Sequence, residues 1–326
     1  MTLPGTRAAA ARRRLAALVS VCVLGASLAL VGPAAISAEE PAEPGSVVVT
    51  TDVLGSIVAQ LVGDAADVTV LMDGGANPHT FEASARDAER VLNADVVVSN
   101  GLDLEEGLLS LLESARSEGA NWFQAADHLA VRDLSAVEHE AAEDAGGEDH
   151  AEGPSDPHIW TDPTTMVAVV QALESELAGV GIEVEDRGDD LVAELEALDA
   201  EVVQILAGIA PEDRQLVTGH RSLGYFADRY DLELIGTVIP GLSTSGEPSA
   251  RELAQLIGDI RDNEVSTVFT EVGTPQSVAQ AVAGDSGARL VALETSRLAD
   301  DGSYASFIRE LATTIANELG SQDATG

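Results

Sequence analysis

The sequence predicts an α/β fold of two similar lobes, each a parallel sheet with flanking helices, joined by one long helix. Three observations predict it. Along the 326 residues, short Val-rich runs alternate with amphipathic segments, break off, and then alternate again. Such a rhythm belongs to parallel sheets with helical crossovers. Between the two series, 186–209 carries a 3.6-residue apolar period through Leu191, Leu195, Leu198, Val202 and Leu206, long enough to span two lobes rather than belong to one. Hydrophobic residues make up 45% of the chain but aromatics only 3%, so the cores must be built from Ala, Val, Leu and Ile.

The chain opens on a targeting signal at 1–38. Arg7, Arg12, Arg13 and Arg14 form its basic start, 15–30 its apolar stretch, and Ala34 to Ala38 its small-residue cleavage region. The apolar stretch is shorter than the roughly 20 residues a spanning helix needs. The mature protein is expected to be exported and extracytoplasmic. Cys22, the lone cysteine, lies inside this signal behind Val21, where a lipoprotein signal would carry a small residue. Cleavage after Ala38 leaves no thiolate ligand and no disulfide.

A Pro- and Glu-rich linker covers 39–45. The N-terminal lobe, 46–185, holds expected strands at 46–50, 67–72 and 95–99 and helices at 53–62 and 83–92. An acidic His-containing loop at 137–157 interrupts it. Asp162 then reads as a helix N-cap with Pro163 at the first helical position, opening a helix to about residue 178. The linking helix occupies 186–210 and stops at Pro211. The C-terminal lobe, 211–322, restarts the alternation, with strands at 215–218, 232–237, 266–269 and 289–293 and helices at 222–230, 249–262, 275–283 and 304–319. Ligands of such sheets bind beyond the carboxyl ends of strands, so the cleft between two facing lobes is the expected site.

Acidic residues number 56 against 17 basic ones, a net charge of -39. That field repels phosphate backbones and anionic lipid heads, which excludes a nucleic-acid partner. It favours cations only in a general way, and solubility alone would account for it. The histidines are more specific. Of six, His79 follows the strand ending at Met72, His220 follows the strand ending near Thr218, and His158 follows the acidic loop. All three segments open onto the expected cleft. Imidazole is the commonest zinc ligand, and a Cys-free chain must build a zinc site from His and carboxylate. His128 has no such context.

Three segments resemble a known family. Asn77-Pro78-His79-Thr80-Phe81-Glu82 with Ala94-Asp95-Val96-Val97-Val98-Ser99-Asn100-Gly101, then Asp156-Pro157-His158-Ile159-Trp160-Thr161-Asp162-Pro163, then Thr218-Gly219-His220 with Gly224-Tyr225-Phe226-Ala227-Asp228-Arg229-Tyr230, are similar in order and spacing to the metal-binding solute receptors of bacterial ABC importers. The resemblance covers nearly all of the chain after the signal. It implies two α/β lobes on a rigid connecting helix, a metal site in the cleft, and a membrane permease as partner. It also implies a receptor without enzymatic activity, expected to be a monomer, with Zn2+ as the transported ligand. Manganese-type members of this family carry a carboxylate at the third position, where this chain has His220; three imidazoles suit zinc better than manganese, which favours oxygen. Copper would accept the same histidines.

The resemblance places an aspartate after the last strand of the second lobe as fourth ligand, and a gapless match puts Ser296 there. Glu294, two residues earlier and on the same side of an extended chain, is the expected fourth ligand, with Glu271, Asp300 or water as alternatives. His139 and His150 read either as part of a solvated charged run or as a weak zinc-collecting loop. The rival readings of function are a receptor for manganese or another divalent metal, a zinc hydrolase and a metal-binding adhesin. Against the hydrolase, the chain has no His-Glu-x-x-His helix and no Gly-x-Ser-x-Gly elbow.

Overall fold

Four strands form the first sheet: β1 (Gly45–Thr51), β2 (Ala66–Met72), β3 (Val96–Ser99) and β4 (Trp122–Gln124). They run parallel in the order β2-β1-β3-β4, with Val47 opposite both Val68 and Val96. The computed structural model describes residues 44–132, 155–184 and 186–320. The expected signal, most of the linker, and His139 and His150 lie outside the described residues.

The central strands are Val-rich because both their faces are covered. Val47, Val49, Val96 and Val98 point into one core, and Val48 and Val97 into another. The second of these is closed by α2 (Ala85–Asn93) and α3 (Leu109–Ser117), through Val91, Leu112 and Ala115. Neither α3 nor β4 has a counterpart in the expected series. A three-residue strand is too short to show an alternation, and α3 buries only two side chains.

The first core is larger. It takes in α1 (Asp52–Val62), α4 (Pro163–Gly179), α5 (Arg187–Leu206), α6 (Gly224–Arg229) and α9 (Tyr304–Gly320). The expected stripe of α5, Leu191 to Leu206, is buried in it together with Val47 of the first sheet and Leu216, Phe226 and Phe307 from the later half. Helix α9 also crosses over, packing on α5 and α1. Ser56 Oγ donates to Gly302 O at 2.9 Å, and Tyr304 OH to Trp160 O at 2.9 Å.

The later half contains two parallel pairs. One is β5 (Gln215–Thr218) with β6 (Glu233–Thr237), the other β7 (Thr267–Thr270) with β8 (Arg289–Ala292). Strands β5 and β7 are in contact. Helices α7 (Ala250–Asp262) and α8 (Gln276–Ser286) cover them through Leu256, Ile260, Ala279 and Val282. The architecture is therefore α/β with parallel sheets and flanking helices, and the carboxyl ends of β2, β5 and β7 carry the segments described next.

Candidate metal centre

His79, His158 and His220 are brought together, all three buried, with one nitrogen from each within 4.8 Å of the others. His158 Nε2 lies 3.4 Å from His79 Nε2 and 3.1 Å from His220 Nε2. Zinc–imidazole bonds of about 2.0–2.1 Å in a tetrahedral site hold ligand nitrogens about 3.3–3.4 Å apart. The observed spacings match that geometry.

Each histidine is delivered by its own local device. Beyond β2, the side-chain carbonyl of Asn77 accepts the His79 backbone N–H at 3.1 Å. The His158 turn is held from two sides: Asn100 Nδ2 donates to Pro157 O at 2.7 Å, and Trp160 Nε1 to Thr295 O at 2.7 Å. Asp162 then caps α4 by accepting from Thr164 N, with Pro163 next, as expected. Beyond β5, Gly219 is obligatory: a Cβ there would meet Thr274 Oγ1 at 2.0 Å and Glu271 Cγ at 2.9 Å.

Two buried carboxylates fix the tautomers. Asp156 Oδ1 accepts from His158 Nδ1 at 2.8 Å and from its backbone N–H at 3.0 Å. Glu271 Oε1 does the same for His220, both at 3.0 Å, while its Oε2 accepts from Ser222 Oγ. With Nδ1–H engaged, each Nε2 presents a bare lone pair. Lone pairs converging at such distances repel unless a cation stands between them.

The electrostatics favour neutral rings at His79 and His158. Burial, then the neighbouring His158 and His220, push His79 down to about 3. Burial also lowers His158, against the opposing pull of Asp156. Burial alone would raise the Glu271 carboxyl, but the His220 ring and its hydrogen bonds outweigh that and bring it to about 2. It is an anion acting on His220.

Space sets a further limit. The pocket at the three rings, lined also by Asn77, Ser222, Thr244, Thr295 and Ser296, holds only about 10 Å³, roughly one water-sized sphere. An ion fits; an organic substrate does not. A wider cavity of about 380 Å³ opens beside His79, between Leu102, Glu106, Pro157, Leu242 and Ser243.

The structure leaves Glu294 outside this cluster. Its side chain is 62% exposed, with Arg297 at 3.8 Å. The two-residue periodicity behind the expectation needs an extended chain, but β8 ends at Ala292 and the backbone bends at 295–297. Thr295 and Ser296 line the pocket instead. Glu271, the alternative, sits behind His220 rather than beside the lone pairs, and Asp300 is exposed. His128 stacks on Phe123 at 4.4 Å, a packing role. Sequence reasoning missed Asp156 as a partner, although Asp156-Pro157-His158 put it two residues from its histidine.

The family described as zinc-uptake complex component A, periplasmic, matches residues 47–318. The chain belongs to that family. Members are uptake components, which removes the hydrolase reading. Zinc-binding lipoprotein AdcA of Streptococcus pneumoniae is 26% identical over 234 residues, 71% of this chain; the chain spans about half of that relative, 46%. Zinc-binding protein TroA of Treponema pallidum is 27% identical over 270 residues, 81% of this chain and 82% of TroA. The solved TroA structure superposes with a TM-score of 0.72 at 25% identity, covering 85% of this chain and 99% of that one. A ZnuA deletion mutant with zinc bound gives 0.71 at 26% identity, covering 86% and 100%. No helix among the described residues is long and apolar enough to cross a membrane.

Proposed function

We propose that this chain is a high-affinity extracytoplasmic zinc receptor that passes the ion to the permease of an ABC-type importer. The observation that carries the reading is the convergence of three Nε2 lone pairs at zinc-like spacing, two of them fixed by buried carboxylates. His79, His158 and His220 are the protein's ligands, and water completes the four, because the rest of the pocket's lining, with Asn77, Ser222, Thr244, Thr295 and Ser296, offers neutral amide and hydroxyl groups and no carboxylate. The likeness to zinc-named relatives supports the same cargo. A manganese receptor would offer more oxygen; the third position here is an imidazole.

The residues act by prepaying the cost of capture. Asp156 and Glu271 hold the His158 and His220 rings in the accepting tautomer, and burial keeps His79 and His158 unprotonated, so an arriving ion displaces few protons from those two. The mature chain acts as a monomer whose domains are the two lobes, 46–185 and 211–322, on the linking helix.

Elemental analysis of purified protein and a competition titration of zinc against manganese test this. Zinc should win. His79→Ala, His158→Ala and His220→Ala should each weaken zinc binding by orders of magnitude, while His128→Ala and Glu294→Ala should leave it unchanged. Preference for manganese, or a loss in Glu294→Ala equal to that in the histidine variants, would overturn the assignment.

A further inference from the structure

Two of the three rings have a carboxylate behind them; the third has an orphan. His79 Nδ1 is buried and has no hydrogen-bond partner. If its Nε2 binds the ion, Nδ1 must carry the proton, and a buried N–H without an acceptor is costly. The group that faces it is Glu106, whose Oε1 stands 3.5 Å away. That is just beyond a good hydrogen bond, and a shift of a few tenths of an ångström would make one.

Glu106 is not there by the accident of a loose surface. It opens the single helical turn Glu106–Leu108. Glu105 anchors that turn from beneath: fully buried, it accepts from Thr50 Oγ1 at 2.7 Å and from Asn100 N at 2.6 Å. Gly107 presses the turn onto the His79 segment, since a Cβ there would lie 2.1 Å from Phe81 O. From the later half of the chain, Ser243 Oγ donates to Glu106 Oε1 at 2.7 Å. The neighbouring Thr244 Oγ1 accepts from Asn77 Nδ2, two residues before His79, at 2.8 Å.

We propose that Glu106 is the positioning residue for His79, accepting its Nδ1 proton when zinc is bound and doing so while linked to Ser243 across the mouth of the cavity. It completes a set of three histidine–carboxylate pairs with Asp156–His158 and Glu271–His220. Unlike the other two it is 42% exposed, at the edge of the open cavity, so it is the pair that solvent and a docking partner can reach. Such outer carboxylates typically contribute 10- to 100-fold in metal affinity. This inference rests on the zinc-receptor reading above.

The test compares Glu106→Ala with Glu106→Gln by zinc competition titration of the full mature protein, with Asp103→Asn, on the same cavity rim, as a control for charge alone. Glu106→Ala should weaken zinc binding about 10- to 100-fold. Glu106→Gln should retain most of the affinity, because its amide oxygen still accepts from Nδ1–H, and Asp103→Asn should match the wild type. In zinc-loaded, nitrogen-labelled protein, the His79 Nδ1–H resonance should persist in wild type and Glu106→Gln and exchange away in Glu106→Ala. Equal losses in the Ala and Gln variants would mean that charge, not the hydrogen bond, is what matters, and would overturn the proposal; so would an Ala variant that binds like wild type. His158→Ala keeps the two readings apart: if it binds zinc normally, the zinc-receptor reading fails first and this one with it.

Discussion

At the scale of single residues, the three clustered histidines were legible because each sits inside a recognisable segment, His79 and His220 just beyond an expected strand and His158 just before an expected helix. Their carboxylate partners were not. With 56 acidic residues in the chain, spacing cannot say which ones fold in behind a histidine; Asp156 and Glu271 are selected by geometry alone. The same residues predict how the metal-free protein responds to acid. His79 and His158 are both held below the ordinary imidazole value in the folded state, His79 at about 3. In the unfolded chain they take up protons below about 6.5. The unfolded state therefore binds more protons between about 6.5 and the folded values, and stability must fall as pH drops through that window. Burial holds the Asp52, Glu105 and Asp162 carboxyls above their ordinary values, which acts in the opposite sense as pH falls through their own raised range. The clean measurement is thus a difference. Denaturant midpoints of chelator-treated wild type and His79→Gln are compared from pH 7.5 to 5. The wild type should lose more stability over this range than the variant. Parallel curves would mean that His79 is not held neutral by the fold.

At the scale of elements, the strands and long helices were read within a few residues, and the shifts have local causes. Helix α8 runs to Ser286, beyond the expected 283, and stops where Gly287 takes a left-handed backbone at φ 87°. Helix α7 begins at Ala250, one residue after the expected start, because Ser249 is its cap: Ser249 Oγ accepts from Glu252 N, and the Glu252 side chain accepts from the Ser249 N–H. Stronger departures came where the period was too short to see, at α3 and β4. The caps also separate stability from binding. Helix α7 packs through Leu256 and Ile260 in a core that contains none of the three histidines. Ser249→Ala should cost about 1 kcal/mol of stability, a typical capping loss, with an unchanged zinc affinity. Calorimetry and titration on the same preparation check both halves of that statement. A change in affinity would show that the second-half core and the metal centre are coupled.

At the scale of the whole molecule, two lobes were expected with a helix between them, and the sharing of one core was not. Residues from β1, α4, α5, α6 and α9 bury their side chains together, so the apolar interior runs through the linking helix instead of stopping at it. A sequence period identifies which face of a helix is apolar but not which elements meet there, and a long-range contact such as the hydrogen bond from Tyr304 OH to Trp160 O leaves no local mark. The consequence concerns how zinc stabilises the protein. The three clustered histidines come from segments far apart in the chain, and two of those segments enter that common interior: His158 lies two residues from Trp160, and His220 follows a strand whose Leu216 lies in it. An ion that binds only the folded state adds about 4 kcal/mol at a thousandfold excess over Kd, several degrees in Tm. Because the largest core draws on both halves of the chain, that stabilisation should reach both. Chelator-treated protein should melt in a single transition, and saturating zinc should move the entire transition upward, with no shift in His158→Ala. If zinc instead split the melt into a shifted and an unshifted step, the two halves would be unfolding independently and the shared interior would not be what couples the metal centre to the fold.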